Sequence, residues 1–336
     1  MTVPTLDSPR HTSSRPVLAR DADSTYWMSR YVERAEHVAR LLLVNSETLI
    51  DVGDIDHALL NRHWLSVLQI MHLDSQPPAG DKPFPQRVAA YMTFDETNPN
   101  SLIKCLTRAR ENARGIREVI SSEMWEHVNT LYWSIRADDA APSFEESPGQ
   151  LYQRVITGSM LFQGLTDQTL AHDQRWFFAQ LGKYFERIGV TCRVLRTKYE
   201  ILHNTETAHV DTPLNNIHWS AVLRSCGSIE TYLRTYLAEL DPEHVAQFLV
   251  LDDEFPRSVR SCVRQALLAI SAIRAIVRPK SVDPTERILG RLDAQLEYAD
   301  PSELMSADGG LTRYLTGILD AIAEASLAVQ RSFFLH

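Results

Sequence analysis

The strongest constraint on this chain is that it is written twice. Asn61-Arg62-His63-Trp64 with Val67-Leu68 returns as Asn216-Ile217-His218-Trp219 with Val222-Leu223. Tyr31-x-Glu33-Arg34 with Arg40 and Leu42 returns as Tyr184-x-Glu186-Arg187 with Arg193 and Leu195. Val88-Ala89-x-Tyr91-Met92, Pro99-x-Ser101 with Cys105-Leu106, and Arg154-x-Ile156-Thr157-Gly158 have mates at Val245-Ala246-x-Phe248-Leu249, Pro256-x-Ser258 with Cys262-Val263, and Arg313-x-Leu315-Thr316-Gly317. The order never changes. A repeat this long is a duplicated half-domain, larger than a solenoid unit. It implies two halves, residues 18–171 and 172–336, packed about a pseudo-two-fold axis with a shared core.

The repeated segments are helical in period, so the expected class is an all-α bundle with about six helices per half. The spacing predicts helices near 19–50, 57–73, 85–94, 99–122, 123–136 and 149–170. Their mates fall near 173–203, 213–240, 242–250, 256–277, 284–298 and 310–333. Pro99, Pro256 and Pro284 fit first helical turns. Segments 75–83, 137–149 and 204–213, rich in Pro, Asp, Ser or Gly, read as loops.

Residues 1–17 mix Ser, Thr, Pro and Arg without an apolar stretch and read as a disordered tail rather than a secretory signal. No apolar run suits a membrane span. The net charge of −9 argues against a nucleic-acid binder. Four scattered cysteines without a CxxC pair point to free thiols in a reducing cytoplasm.

On the first helix, Trp27, Tyr31, Val38 and Leu42 follow a buried stripe. Beside it run Arg30, Glu33, Arg34, His37 and Arg40, so that Glu33 can pair with Arg30 or His37, and Glu36 with Arg40. Glu33 and Glu186, each followed by Arg, read first as paired interior charges that set helix register.

The mismatches between the halves suggest a site. Arg110-Glu111-Asn112 faces Leu267-Leu268-Ala269, Arg114 faces Ser271, and Glu36-His37 faces Gly189-Val190; only Arg117 has a basic mate, Arg274. Glu123 and Glu126 follow one turn apart. Arg110, Arg114 and Arg117 could fork a carboxylate or phosphate. Glu33, Glu36, Glu111 and Glu123 could hold a divalent cation, and these acids with Glu126 could move a proton. The plainer alternative is a solvated face laced with ion pairs. Glu206-x-x-His209 falls in a loop rather than on a di-iron helix. His63 and His218, each beside a Trp, read as core histidines. Gly-rich phosphate loops, GxSxG elbows and zinc-spaced Cys/His sets are missing, so no cofactor is called for beyond the optional metal. The repeated cysteines sit among apolar neighbours, unlike nucleophiles.

Three tracts carry a family resemblance. They are Leu18-Ala19-Arg20-x5-Tyr26-Trp27-Met28-x-Arg30-Tyr31-x-Glu33-Arg34-Ala35-Glu36, then Arg108-Ala109-Arg110-Glu111-Asn112-Ala113-Arg114-x2-Arg117 with Ile120-Ser121-Ser122-Glu123-Met124-Trp125-Glu126, and Phe255-Pro256-Arg257-Ser258. From about residue 18 onward the chain resembles the bacterial alpha-E family. That resemblance implies an all-helical protein encoded near circularly permuted ATP-grasp and transglutaminase-like proteins, without an assigned reaction. Two functions follow as expectations. One is a non-catalytic partner or substrate-holding subunit of an ATP-grasp-type peptide or amide ligase, receiving a peptide or small anionic ligand. The other is a carboxylate-based, metal-assisted enzyme acting on an amide or phosphate-bearing substrate.

Overall fold

The computed structural model describes residues 17–52, 57–73, 77–137, 144, 146–203, 212–236, 240–277, 282–306 and 310–335. Most of the expected tail, the Glu206-x-x-His209 pair and parts of the three expected loops lie outside the described residues. Within them the chain is all-helical, with no strand.

The first helices are α1 (Ala19–Val52), α2 (His57–Ile70), α3 (Phe84–Phe94), α4 (Leu102–Gly115), α5 (Ser122–Arg136) and α6 (Pro148–Thr169). Then come α7 (Gln174–His203), α8 (Thr212–Ser225), α9 (Ile229–Thr235) and α10 (Pro242–Leu251). The last are α11 (Val259–Val277), α12 (Pro284–Glu297), α13 (Pro301–Ser306) and α14 (Gly310–Val329), which runs into a π-helical turn, Gln330–Phe334.

Helices α1 and α7 form the centre and pack along one another. α4 and α6 flank α1, whereas α11 and α14 flank α7. The short helices cross over: α2 rests on α7, and α8 rests on α1. The crossing of α1 and α7 is close because residue 182 is glycine. A Cβ there would stand 2.3 Å from the Tyr26 carbonyl oxygen, which no side chain can accept.

Being central, α1 is buried beyond a single stripe. Tyr26, Met28, Val32, Ala35, Val38 and Leu42 are buried, while Trp27 and Tyr31 are only half-buried. Guanidinium groups cover those two rings: Arg30 lies 5.0 Å from Trp27, and Arg34 and Arg108 lie 5.5 and 5.4 Å from Tyr31. One large core cluster runs from Ala22 to Val329.

Several boundaries differ from the sequence expectation. Pro99 and Pro256 do not open helices; they sit in turns that precede serine caps. The Ser101 hydroxyl accepts from the Lys104 amide and donates to the Asp95 carbonyl. The Ser258 hydroxyl accepts from the Ser261 amide and donates to the Asp252 carbonyl. These caps delay α4 to Leu102 and α11 to Val259. α4 also ends early, in a turn at residues 116–120.

The stretch 213–240 is two helices rather than one, because Gly227 takes φ +65° and lets the Ser228 amide reach back to the Leu223 carbonyl. His72 ends α2 in the same way, at φ 53° with the Leu73 amide on the Leu68 carbonyl. Pro284 does open α12, with Asp283 as its cap.

Candidate functional site

Where α1 meets α7, two glutamates exchange partners. Arg187 of α7 donates to Glu33 of α1, Nε to Oε1 at 2.7 Å and Nη2 to Oε2 at 3.0 Å. Arg34 of α1 donates to Glu186 of α7, Nε to Oε1 at 2.6 Å and Nη2 to Oε2 at 2.8 Å. Each Glu-Arg dipeptide therefore presents its acid to the other helix's arginine. Parallel two-point pairs of this kind are the strong class of charge-assisted hydrogen bond.

Both carboxylates are fully buried. Burial alone would push their pKa values up, but the guanidiniums overcome it. Arg187, with His37 and Arg257, holds Glu33 well below the carboxylate range. Arg34 and Arg30 do the same for Glu186. Both acids are thus held as anions.

Further groups extend the network unequally. Around Glu33 lie His37 Nε2 at 3.3 Å, Gln163 Nε2 at 3.4 Å and Arg257 Nη1 at 3.7 Å. Glu36 is buried beside it, bound by Arg40 at 2.9 Å and by Arg257. The α7 side has Glu186 alone, shared between Arg34 and Arg30, whose Nε lies 3.1 Å away. Arg30 therefore pairs across to α7 and not with Glu33 on its own helix. Among the described residues, Arg193 donates to a backbone carbonyl alone, that of Ile70 at 2.6 Å. Burial brings its pKa down to about 10, helped by Arg34 and Arg30 and opposed by Glu186. Arg30, Arg34, Arg193 and Glu186 line a cavity of about 540 Å³ between α1, α7 and α14.

The sequence candidates thus separate into two groups. Arg30, Glu33, Glu36 and His37 meet in the α1–α7 network. Arg110, Glu111, Asn112, Arg114, Arg117, Glu123 and Glu126 sit elsewhere, on the outer face of α4 and α5. Leu102, Cys105, Leu106, Ala109 and Ala113 turn the apolar face of α4 inward. The helical period then sends Glu111 and Arg114 to solvent, Arg117 is exposed in the turn after α4, and Glu123 and Glu126 are likewise exposed. One cleft holding all eleven residues does not form. The proposed metal set Glu33, Glu36, Glu111 and Glu123 is divided in the same way. Among the described residues, no group of three or more His, Cys, Asp or Glu side chains gathers to hold a metal ion.

The outer group has an order of its own. The Arg110 guanidinium lies 4.8 Å from the Tyr132 ring and 5.7 and 5.8 Å from Trp125 and Trp133, with Nε donating to Asn129 at 2.7 Å. Arg117 covers Trp125 at 5.3 Å, and Arg136 covers Tyr132 at 5.8 Å. Trp133 is 51% exposed. Beside this face, α5 and α6 enclose an open groove of about 570 Å³ lined by Leu131, Leu161 and His127.

His63 and His218 are buried and stacked, with ring centroids 4.5 Å apart. His63 Nδ1 lies 3.0 Å from Nζ of Lys198, which is also 3.4 Å from Asn45 Oδ1. Burial brings Lys198 down to about 7, and burial with Lys198 nearby brings His218 down to about 4. All four cysteines are free and buried. Burial pushes the thiols of Cys105 and Cys262 up to about 12 and about 11, away from nucleophilic character.

Sequence reasoning did not place Arg193, Arg257, Lys198, Trp125, Tyr132 or Trp133 at a site. Arg193 carried a signal: its mate Arg40 has Glu36 one turn earlier, whereas Arg193 has Gly189. Trp125, Tyr132 and Trp133 lie within one helical stretch beside the Arg110–Arg117 run, an aromatic–basic juxtaposition visible in the sequence.

Residues 17–334 match a family model described as a predicted alpha-helical domain with a conserved ER motif. The chain contains that dipeptide as Glu33-Arg34, Glu186-Arg187 and Glu286-Arg287. It is also similar to uncharacterised proteins of Mycobacterium bovis and Mycobacterium tuberculosis, 26% identical over 98% of this chain. The match covers only 39% of the length of those relatives. No solved structure matches. Among the described residues, no helix is long and apolar enough to cross a membrane.

Proposed function

As this chain belongs to the Alpha-E family, we propose that it is a non-catalytic helical partner of an ATP-grasp-type peptide or amide ligase, docking through the outer face of α4 and α5. The observation that carries this reading is the exposed arginine–aromatic face. Trp, Tyr and Arg are the residues that dominate interface energetics. Trp133 stands half-exposed with Arg110, Arg117 and Arg136 stacked around Trp125 and Tyr132. Half-solvated arginine–ring stacks are worth about 0.5–1 kcal/mol each, and more once a partner excludes water. The Leu131–Leu161 groove beside them offers apolar area.

Two further points support a partner role. In the mycobacterial relatives the similar region is a minor part of a longer chain, so the domain there has other protein sequence attached. And Glu33 and Glu186, the acids in the ER dipeptides of α1 and α7, are held by arginines as anions. That arrangement suits a rigid clamp better than a general acid or base, which needs a pKa near the working pH. A metal-assisted enzyme would have to strip Arg187, Arg40 and Arg257 from Glu33 and Glu36 before either could ligate. The ligase assignment and the role of a transglutaminase-like neighbour rest on the family resemblance. Four buried free thiols are in keeping with a reducing cytoplasm.

The test is co-elution of the purified chain with the purified ATP-grasp-type ligase on size-exclusion chromatography. A complex is expected for the natural sequence, and Trp133→Asp and Arg110→Asp should abolish it while leaving the far-ultraviolet dichroism unchanged. Separate elution of the natural protein, or complexes unaffected by both substitutions, contradicts the reading.

A further inference from the structure

The α1–α7 network is one acid short on the α7 side. On α1, Glu36 sits one turn before Arg40 and neutralises it. In the register of the sequence repeat, α7 has Gly189 one turn before Arg193. With no carboxylate at 189, the Arg193 guanidinium folds over the glycine: a Cβ there would stand 3.0 Å from its Nη1. Its terminal nitrogens have no partner among the described residues, and its Nε is spent on the Ile70 carbonyl.

The cavity in front of Arg193 is correspondingly positive. Three guanidiniums, Arg30, Arg34 and Arg193, line it. Against them stand Glu186, already bound by Arg30 and Arg34, and Asp320, which lies exposed at the mouth. The Ser326 hydroxyl completes the wall and accepts from Arg30 at 2.9 Å, leaving its own proton for Tyr26 or a guest. Three half-buried guanidiniums share the single buried carboxylate of Glu186, and an entering anion would relieve their mutual repulsion. The volume, about 540 Å³, fits a small ligand or the end of a larger one.

We propose that this cavity binds an oxyanion, a carboxylate or phosphate group, which supplies to Arg193 the negative charge that Glu36 supplies to Arg40. The guest lies against Nη1 and Nη2 of Arg193, whose guanidinium fills the room that Gly189 leaves. This site does not depend on the α4–α5 docking face, so either can stand if the other fails.

The experiment is isothermal titration calorimetry of the purified full chain, in a buffer free of both anions, with inorganic phosphate in one arm and acetate in the other. Binding of at least one is expected, and the tighter arm identifies the guest as phosphate-like or carboxylate-like. Arg193→Gln removes the fork, and Gly189→Glu fills the cavity with the chain's own carboxylate. Each should weaken binding by about ten- to a hundredfold, the equivalent of the lost charge-assisted bonds. Trp133→Asp, on the α4–α5 face and outside the cavity lining, should bind as the natural chain does. If Arg193→Gln misfolds by circular dichroism, Gly189→Glu carries the test. The proposal is overturned if neither anion binds, if both charge-altering variants bind normally, or if Trp133→Asp loses as much affinity as Gly189→Glu.

Discussion

Arg187 grips Glu33 through two parallel hydrogen bonds from one helix to the other, at 2.7 and 3.0 Å, with Glu33 wholly buried and Arg187 nearly so. Arg34 grips Glu186 in the opposite direction. The two long helices are therefore tied by charge one to two turns beyond the point where Gly182 meets the Tyr26 carbonyl. Such pairs specify which helices meet and in what register, while contributing less to net stability than their Coulomb energy suggests.

The aromatic core and the outer charges separate cleanly in their expected effects. Trp64 and Trp219 are both buried, on α2 and α8, the helices that cross over. Truncating either to Ala should cost about 3–5 kcal/mol. Glu111→Ala and Arg114→Ala, both at exposed positions, should stay within about 0.5 kcal/mol. Urea denaturation curves of the four variants check this.

How much of this was legible beforehand follows the same division. The 3.6-residue period shows which side of each helix is apolar, so the all-helical class, the burial of His63 and His218, and the internal charge of Glu33 and Glu186 could be read from the chain. The period does not say which neighbour a face meets. Arg30 could reach Glu33 on its own helix or Glu186 on another, and only packing decides for Glu186. Likewise Glu111 carries the same charge as Glu33 but lies nearly opposite Ala109 around α4, so the two cannot share a cleft. The serine caps at Ser101 and Ser258 were missed because Pro99 and Pro256 imitate helix starts.

Stability should rise with pH across a wide range. Lys198 is brought down to about 7 in the folded state, below its unfolded value near 10.4. Between those values the unfolded chain binds a proton that the folded chain does not, so unfolding becomes harder as pH increases. The total is on the order of 4 kcal/mol for Lys198. His218, brought down to about 4, adds a rise between about 4 and 6.5. The depressed Glu33 and Glu186 add a loss when pH falls below about 4. Urea midpoints at pH 5, 6.5 and 8 should climb, below the range where the raised thiols of Cys105 and Cys262 oppose the rise, and Lys198→Met should flatten the upper part of that climb. An unchanged slope in that variant contradicts the assignment.

His72 ends α2 in the left-handed region at φ 53°, where Gly227 ends α8 without a Cβ. The strain for a residue with a Cβ is about 1 kcal/mol. His72→Gly should therefore stabilise the protein or leave it unchanged, despite the added chain entropy of glycine in the unfolded state. A melting temperature lowered by several degrees would show that the His72 side chain outweighs its backbone strain.

A double-mutant cycle measures the exchange between α1 and α7 directly. Glu33→Gln and Arg187→Met, singly and together, are compared by urea denaturation. Each single change should cost about 3–5 kcal/mol, because it strands a buried charge. The double variant should cost less than the sum by at least about 1 kcal/mol, the range seen for coupled neighbours. Strictly additive losses would mean that the Glu33–Arg187 pair does not tie the two helices together, and the clamp would have to be abandoned.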